Sequence, residues 1–168
     1  MALNYQTDDK QNFLNRAKFS DNGGCGYILK PDFLRDPDPE YSPILPDSIP
    51  TENEGTINVT VVSGQHIPRP DGRLEGEVID PYVKVRIRGH PADKQNKGQT
   101  LPVHNNGFNP VWNETFKFHI KVPSLALLEF RVKDHSKSGT DQDIGAFCCP
   151  LNSVKQGKYT KTSKQVCI

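Results

Sequence analysis

The sequence lacks any apolar run long enough to cross a bilayer, and residues 1–20 contain no apolar segment of signal-peptide length. Its four cysteines, Cys25, Cys148, Cys149 and Cys167, have neither a CxxC spacing nor the density of a disulfide scaffold. Its 21 basic and 20 acidic residues nearly cancel, so no overall charge field favours nucleic acid. We therefore expect a soluble, cytoplasmic protein with reduced thiols and without a nucleic-acid partner.

Helical periodicity is also scarce in this sequence. From Gly55 onward, short alternating segments recur between Gly, Pro and Asn turn signals. These segments are TINVTVVS, YVKVRIRG, QTLPVH, ETFKFHIKV, LALLEFRVK, IGAFCCPL and KYTKTS. Short strands at this spacing, without a convincing helix, predict a mainly β fold, an antiparallel β-sandwich.

Three of these segments, YVKVRIRG, ETFKFHIKV and LALLEFRVK, alternate apolar with basic side chains. Successive side chains of a strand point to opposite faces, so the apolar phase is expected to form the core. The basic residues of the opposite phase are Lys84, Arg86, Arg88, Lys117, Lys121, Arg131 and Lys133. If the three strands are neighbours, this phase would form a face that attracts anionic lipid headgroups. The alternative is a solvated face whose charges keep the protein soluble.

The first 36 residues are too few to bury a core of their own. MALNYQT predicts a short strand, and DNGGCGYILKPDFLR predicts a glycine turn followed by a short apolar segment. The glycine cluster lacks the third glycine of a dinucleotide-binding loop, because Leu29 stands there, so a structural turn is favoured. Residues 37–54 contain five prolines among acidic residues and serines, which predicts a linker.

The segment NNGFNPVWNETFKF, residues 105–118, places Asn-Gly and Asn-Pro turn signals and Trp112 in front of an alternating strand. This combination resembles the C2 domain, a sandwich that binds calcium and phospholipid. VIDPYVKV, residues 78–85, is similar to the first calcium loop of that family. LALLEFRVKDH, residues 125–135, is similar to the strand that enters its third loop.

Within that family, the segments SGQHIPRP, NNGFNP and VPSLALLEFRV resemble the C2 domain of phosphoinositide-specific phospholipase C. MALNYQT and DNGGCGYILKPDFLR resemble the last strand and the closing segment of its catalytic barrel. The resemblance implies three parts. Residues 1–36 are a remnant of the TIM-type α/β barrel, from the end of its Y half, and residues 37–54 are a linker. Residues 55–168 are a C2 domain with about seven of the usual eight strands, lacking the last.

The resemblance implies part of an enzyme that hydrolyses phosphatidylinositol 4,5-bisphosphate to inositol trisphosphate and diacylglycerol. The family's catalytic residues lie upstream of MALN, and the scattered histidines here form no zinc spacing or nucleophile motif. We therefore assign no catalytic residue and expect the chain alone to be inactive. Its implied role is to dock the remainder of the barrel on an anionic phospholipid membrane. The alternative is a non-enzymatic C2 calcium- and phospholipid-binding module, or the tail of an inactive relative.

The resemblance also implies candidate calcium ligands. Asp80 and the carbonyl of Val78 match the first loop, Asn105 the second and Asp134 the third, whereas the next aspartate of the family falls on Ser136. Weaker candidates in the same predicted loops are Asp71, Asp141 and Asp143. Calcium takes about six to eight oxygen ligands, so the loss of one carboxylate predicts weak binding. The alternative is that Asp80 caps a turn and Asn105 only bends the chain into the next strand.

Overall fold

The computed structural model describes residues 2–7, 9–36, 41–42, 45, 48–50, 54–70, 77–136, 139–154 and, for the main chain alone, 164–167. Within these residues the chain forms one α-helix and seven β-strands. Their bounds are α1 Lys10–Phe19, β1 Gly55–Ser63, β2 Pro81–Arg88, β3 Lys97–Gln99, β4 Val111–Ile120, β5 Leu127–Asp134, β6 Gln142–Pro150 and β7 Lys164–Cys167.

The strands form two sheets. The three-stranded sheet has the order β4-β1-β7, and the four-stranded sheet has the order β3-β2-β5-β6. The described strand pairs are antiparallel except for β7, which lies parallel to β1. Parallel neighbours cannot be joined by a tight hairpin, and here the strands β2 to β6 separate β1 from β7 along the chain. The mainly β, antiparallel architecture expected from the sequence is confirmed, with this one pair as the exception.

The inward-pointing apolar side chains of the strands fill the space between the two sheets. Val59, Val85 and Leu128, from β1, β2 and β5, have no exposed surface, and Phe118 and Ile120 of β4 pack beside them. Burying one such side chain stabilises the fold by about 1.5–3 kcal/mol. The apolar phase predicted for the three alternating segments therefore forms the core.

Residues 10–19, which read as a polar stretch in the sequence, form the helix α1. Asp9 caps the helix by accepting the Asn12 N–H at 2.8 Å. The buried Asn12 amide donates to the main-chain carbonyls of Asn4 and Thr7. These bonds fold residues 2–7 into a turn over the helix start, so the short strand predicted for MALNYQT is wrong for the residues described.

The helix α1 packs on the outer face of β5 and β6. Ala17 forms a small apolar cluster there with Leu127 and Cys148, against which Phe13 and Leu14 lie. Burial raises the pKa of the Cys148 thiol to about 12, so this thiol stays protonated at neutral pH. In the described part of the chain, no helix is both long enough and apolar enough to cross a bilayer.

Glu129 is fully buried beside this cluster, although it belongs to the outward phase of β5. Its carboxylate accepts hydrogen bonds from Nε of Arg88 and from Nε of Arg131, the latter at 2.6 Å. The Arg131 guanidinium lies 5.5 Å from the ring centroid of Phe13 on α1. Burial raises the pKa of Glu129, but the two arginines outweigh burial and hold that pKa below its usual value. The helix therefore lies next to a compensated charge cluster.

One predicted strand differs in position, and another cannot be compared. For QTLPVH, the structure has the shorter β3 at Lys97–Gln99 instead. Beyond β3, the N–H groups of Thr100 and Val103 still donate to carbonyls of β2, but the intervening Pro102 has no N–H with which to continue a ladder. The predicted strand KYTKTS, residues 158–163, lies outside the described residues, and β7 follows it.

Candidate functional site

Three loops meet at the end of the sandwich where β2 begins and β5 ends. We call this end the rim and define it as residues 77–80, 104–109, 134–136 and 141–142. Pro81 of β2 pairs with Asp134 of β5, so the antiparallel register brings Asp80 next to Asp134. The Asn106 N–H donates to the Ile79 carbonyl at 3.2 Å, which joins the second loop to the first.

Asp80 is only 7% exposed and connects all three loops. Its Oδ1 accepts the Asn105 N–H at 2.7 Å, and its Oδ2 lies 2.8 Å from Nδ1 of His104. Its own N–H donates to Oδ1 of Asp134 at 2.8 Å. The turn-capping role that the sequence leaves open for Asp80 is therefore present, since both of its carboxylate oxygens have protein partners.

Asp141 organises the third loop. Its Oδ2 accepts the Tyr82 hydroxyl at 2.7 Å, and its Oδ1 accepts the Ser136 N–H at 3.1 Å and lies 3.2 Å from Nδ1 of His135. The hydrogen bond from Tyr82, supported by the one from Ser136, lowers the pKa of Asp141. Burial raises the pKa of Tyr82, and the hydrogen bond to Asp141 raises it further. The carboxylate of Asp141 is thus committed to holding the loop.

A hollow of about 220 Å³ opens between the first and third loops. It is lined by Glu77, Val78, Asp80, Asp134, His135, Ser136 and Gln142. Three of the sequence-predicted ligands, Val78, Asp80 and Asp134, therefore lie together. Glu77 and Gln142 were missed, although Glu77 directly precedes Val78 in the same loop, which is a signal that the sequence contains.

The other predicted ligands lie elsewhere. Asn105 is beside the hollow and contributes its N–H to Asp80, whereas Asp143 faces Lys133 at 3.6 Å and Arg131 at 3.8 Å. Asp71 lies outside the described residues. Over the ranges that the structure describes, no three His, Cys, Asp or Glu side chains are grouped closely enough to hold a metal ion.

Exposed apolar side chains flank the hollow. Val78 is 46% exposed in the first loop, and Phe108 is 66% exposed in the second. The Phe108 ring contacts His66, with 4.6 Å between ring centroids, and its carbonyl accepts the His66 N–H at 2.8 Å. Gly107 passes so close to Ile79 that an added Cβ would lie 2.7 Å from its side chain. The segment NNGFNP is therefore both a turn into β4 and a support that holds Phe108 outward.

The basic residues predicted to share one face are divided between two. The strands β2 and β5 are neighbours, but β4 belongs to the other sheet. The condition for one contiguous face of seven basic residues, that the three strands are neighbours, is therefore not met. Lys117 lies on the outer side of β4 in the three-stranded sheet, and Lys121 directly follows that strand. The other five residues belong to the four-stranded sheet: Lys84, Arg86, Arg88, Arg131 and Lys133.

Acidic neighbours compensate much of the charge on the four-stranded sheet. Arg88 and Arg131 bind Glu129. Lys133 donates to the Asp141 carbonyl at 3.2 Å and lies near Asp143. Lys84 lies 5.4 Å from the ring centroid of Tyr82. The sequence could not indicate this compensation, because Glu129 meets Arg88 only when β2 pairs with β5, and Asp143 meets Lys133 only when β6 pairs with β5.

Two family models match separate parts of the chain. Residues 55–166 match the C2 domain, and residues 1–33 match the phosphatidylinositol-specific phospholipase C Y domain. The match to the C2 domain covers the sandwich and the rim loops.

Curated relatives align over nearly the whole chain. The human 1-phosphatidylinositol 4,5-bisphosphate phosphodiesterase delta-1 is 41% identical over 94% of this chain, and the delta-4 protein of Xenopus laevis is 39% identical over 93%. The human eta-2 protein is 44% identical over 94% of this chain. The chain spans 20% of the length of the two delta proteins and 11% of the eta-2 protein.

Solved structures share the fold. The C2A domain of plant extended synaptotagmin 1 superposes with a TM-score of 0.50 at 33% identity, covering 59% of this chain and 70% of that domain. Human GIVD cytosolic phospholipase A2 superposes with a TM-score of 0.51 at 26% identity, covering 61% of this chain and 14% of that protein. The chain therefore belongs to the C2 domain family, and its C2 domain follows the end of a phosphatidylinositol-specific phospholipase C Y domain.

Proposed function

We propose that this chain is the membrane-docking end of a phosphoinositide phospholipase C and that its rim contacts anionic phospholipid. The observation that carries the proposal is that Asp80, Asp134 and the exposed Val78 line one hollow, while the second loop of the same rim exposes Phe108. The carboxylates of Asp80 and Asp134 would bind a cation, and this cation would contact the anionic headgroups. The side chains of Val78 and Phe108 would enter the membrane interface. The protein would then be cytoplasmic and peripheral at the membrane.

The proposed division of the chain is a barrel remnant over residues 1–36, a linker over 37–54 and a C2 domain over 55–168. The matched ranges 1–33 and 55–166 support this division. The whole enzyme would hydrolyse phosphatidylinositol 4,5-bisphosphate to inositol trisphosphate and diacylglycerol, as the names of the relatives suggest. This chain would hold the rest of the barrel at the membrane surface.

We propose calcium as the cation at the rim. The donor chemistry fits, because the side chains of Glu77, Asp80, Asp134 and Gln142 and the carbonyl of Val78 present oxygen atoms, which calcium prefers. Both Asp80 oxygens already have protein partners, so calcium would share these oxygens with Asn105 and His104. When bound, calcium would supply positive charge that attracts anionic headgroups. The missing carboxylate at Ser136 and this sharing both support weak affinity.

We expect the double variant Asp80→Asn, Asp134→Asn to lose calcium-dependent membrane binding. Asparagine keeps an oxygen that can accept the N–H bonds from Asn105 and Asp80, so the loops should stay folded while the site loses two charges. The calcium concentration needed for cosedimentation with vesicles of phosphatidylcholine and phosphatidylserine should rise by about tenfold or more, because calcium affinity follows ligand charge.

The control for this experiment is Asp143→Asn, because Asp143 pairs with Lys133 and Arg131 outside the hollow. Its calcium requirement should match that of the natural chain. Retention of calcium-dependent binding by the double variant would sink the proposed calcium site. Binding that ignores calcium but fades with added salt would instead favour the basic residues of the four-stranded sheet and of β4, including Lys117 and Lys121.

We expect no turnover of phosphatidylinositol 4,5-bisphosphate by this chain alone. The sequence contains no nucleophile motif or zinc spacing, and catalysis by the family needs a positioned acid and base. Release of inositol phosphate from vesicles, measured with and without calcium, is the direct assay. A mock purification is the control. Release of inositol phosphate by the purified chain but not by this control would contradict the expectation that the chain alone is inactive.

A further inference from the structure

Tyr82 is buried on the side of β2 that faces away from the core. Val83 and Val85 point between the two sheets and belong to the core, so Tyr82 lies in the outward phase with Lys84 and Arg86. Lys84 and Arg86 remain partly exposed, whereas Tyr82 is only 2% exposed. The core between the sheets therefore does not account for the burial of Tyr82.

The third loop of the rim covers Tyr82 instead. The His135 ring meets the Tyr82 ring edge to face, with 6.4 Å between ring centroids. The Tyr82 hydroxyl donates to Oδ2 of Asp141 at 2.7 Å, which gives the buried phenol the partner that it needs. The strand β5 lies between β2 and β6 in the sheet, and Asp141 directly precedes β6. The hydrogen bond therefore joins the third loop to β2 across the end of β5.

Asp141 extends this connection to the hollow at the rim. Its Oδ1 accepts the Ser136 N–H at 3.1 Å and lies 3.2 Å from Nδ1 of His135. Its main-chain carbonyl accepts a hydrogen bond from Nζ of Lys133 on β5 at 3.2 Å. His135 and Ser136 line the hollow, and so does Gln142, the residue after Asp141. The contacts that fix Asp141 therefore also fix the third-loop side of the hollow.

The charge states of the two groups suit a strong hydrogen bond. The Tyr82 hydroxyl, more than any other group, lowers the pKa of Asp141, so this carboxylate is ionised at neutral pH. Burial raises the pKa of Tyr82, and Asp141 raises it further, so the hydroxyl keeps its proton. Hydrogen bonds to an ionised acceptor are stronger than those between neutral groups.

We propose that Tyr82 is a positioning residue for the cation at the rim. Its hydroxyl holds Asp141, and Asp141 holds the third loop in the arrangement that receives the cation. Asp141 acts as a clamp and not as a ligand, because it does not line the hollow, whereas Asp80 and Asp134 do. Calcium affinity depends on the rigidity of a site as well as on its charge. This role rests on the docking function proposed above and assigns part of it to a residue outside the hollow.

The variant Tyr82→Phe tests the clamp, because it removes the hydroxyl and keeps the ring. The calcium concentration for half-maximal cosedimentation with vesicles of phosphatidylcholine and phosphatidylserine should rise by about threefold to tenfold, since one hydrogen bond to a charged group is lost. Binding at saturating calcium should be unchanged, because bound calcium can order the loop without the hydroxyl. General damage to the fold would instead lower the amount bound at saturation.

Amide hydrogen exchange in the presence of a calcium chelator tests the clamp without the cation. The Ser136 N–H, which Asp141 accepts, should exchange faster in Tyr82→Phe than in the natural chain. The matched control is Tyr5→Phe, which removes a hydroxyl that accepts a hydrogen bond from the Asn15 amide at 3.0 Å, far from the rim in sequence. It should leave both the calcium midpoint and the exchange of Ser136 unchanged.

A raised calcium midpoint together with faster exchange of Ser136 in Tyr82→Phe supports the clamp, and either change without the other would overturn it. A lowered calcium midpoint would overturn it as well, since Tyr82 would then be withholding Asp141 from the cation. In these cases calcium-dependent binding by the natural chain leaves the docking function standing. If the natural chain itself shows no calcium-dependent binding, the docking function fails and the clamp fails with it.

Discussion

Replacing Glu129 with alanine is expected to lower the free energy of unfolding by about 3 kcal/mol, because removal of one partner from a buried ion cluster leaves the others uncompensated. Glu129 is fully buried and bridges Arg88 and Arg131. Without it, the partly buried Arg88 loses its ion-pair partner and the partly buried Arg131 keeps only Asp143, at 3.8 Å. The packing of Arg131 on Phe13 should weaken as well, which loosens α1.

Equilibrium unfolding in urea measures this loss. The matched control is Glu54→Ala, which removes a carboxylate from an exposed pair with His119 and should change stability by no more than about 0.5 kcal/mol. If both substitutions change the free energy of unfolding equally and only slightly, the buried cluster stabilises the fold no more than an exposed ion pair does.

The effect of Glu129→Ala should also depend on pH. The folded pKa of Glu129 lies below its usual value, so its contribution is fully present above the unfolded value of about 4.3. That contribution is lost as pH falls through the folded pKa. The difference in stability between the natural chain and the variant should therefore be constant near neutral pH and shrink in acid. If the stability difference between the two proteins instead grows in acid, the pKa of Glu129 is not lowered in the folded state.

The architecture of the sandwich could be predicted because strand alternation is a local signal. Val83, Val85 and Ile87 alternate with Lys84 and Arg86 in the sequence, and burial follows that alternation in the structure. The alternation within a single strand is enough to predict which of its two sides faces the core. Which strands become neighbours depends on residues far apart, so the placement of β4 in the other sheet was not indicated by its own alternation.

The helix α1 escaped prediction for a related reason. Its apolar face consists of Phe13, Leu14 and Ala17, which is too short a pattern to stand out among polar neighbours. Its partners, Leu127 and Cys148, lie on the outward phase of two strands, where alternation predicts solvent. A short helix and a covered sheet face are recognisable only together, because each supplies the apolar surface that the other buries.

The rim was predictable in part. Asp80 and Asp134 belong to segments with a recognisable loop pattern, and the β2–β5 register brings them together. The partners of Asp80 were not predictable, because Asn105 and His104 reach it through loop geometry. Residues within one loop segment can be inferred from its sequence, but contacts between loops require the fold that brings them together.

Gly89→Ala should be about as damaging as the loss of Glu129, at about 3 kcal/mol, because it combines backbone strain with a steric clash. Gly89 follows β2 with a φ of 141°, a conformation that L side chains rarely adopt. An added Cβ would collide with the carbonyl oxygen of Leu125 and lie 3.0 Å from its carbonyl carbon. The main chain of the turn after Val122 would have to move, and with it the contact between the two sheets at this end.

Gly145→Ala is the matched control, because Gly145 lies in β6 with no atom within 4 Å of an added Cβ. It should change stability little, within about 0.5 kcal/mol, or raise it slightly by restricting the unfolded chain. A Gly89→Ala protein as stable as the Gly145→Ala protein would mean that this turn yields readily, which would contradict the strain and the clash assigned to Gly89.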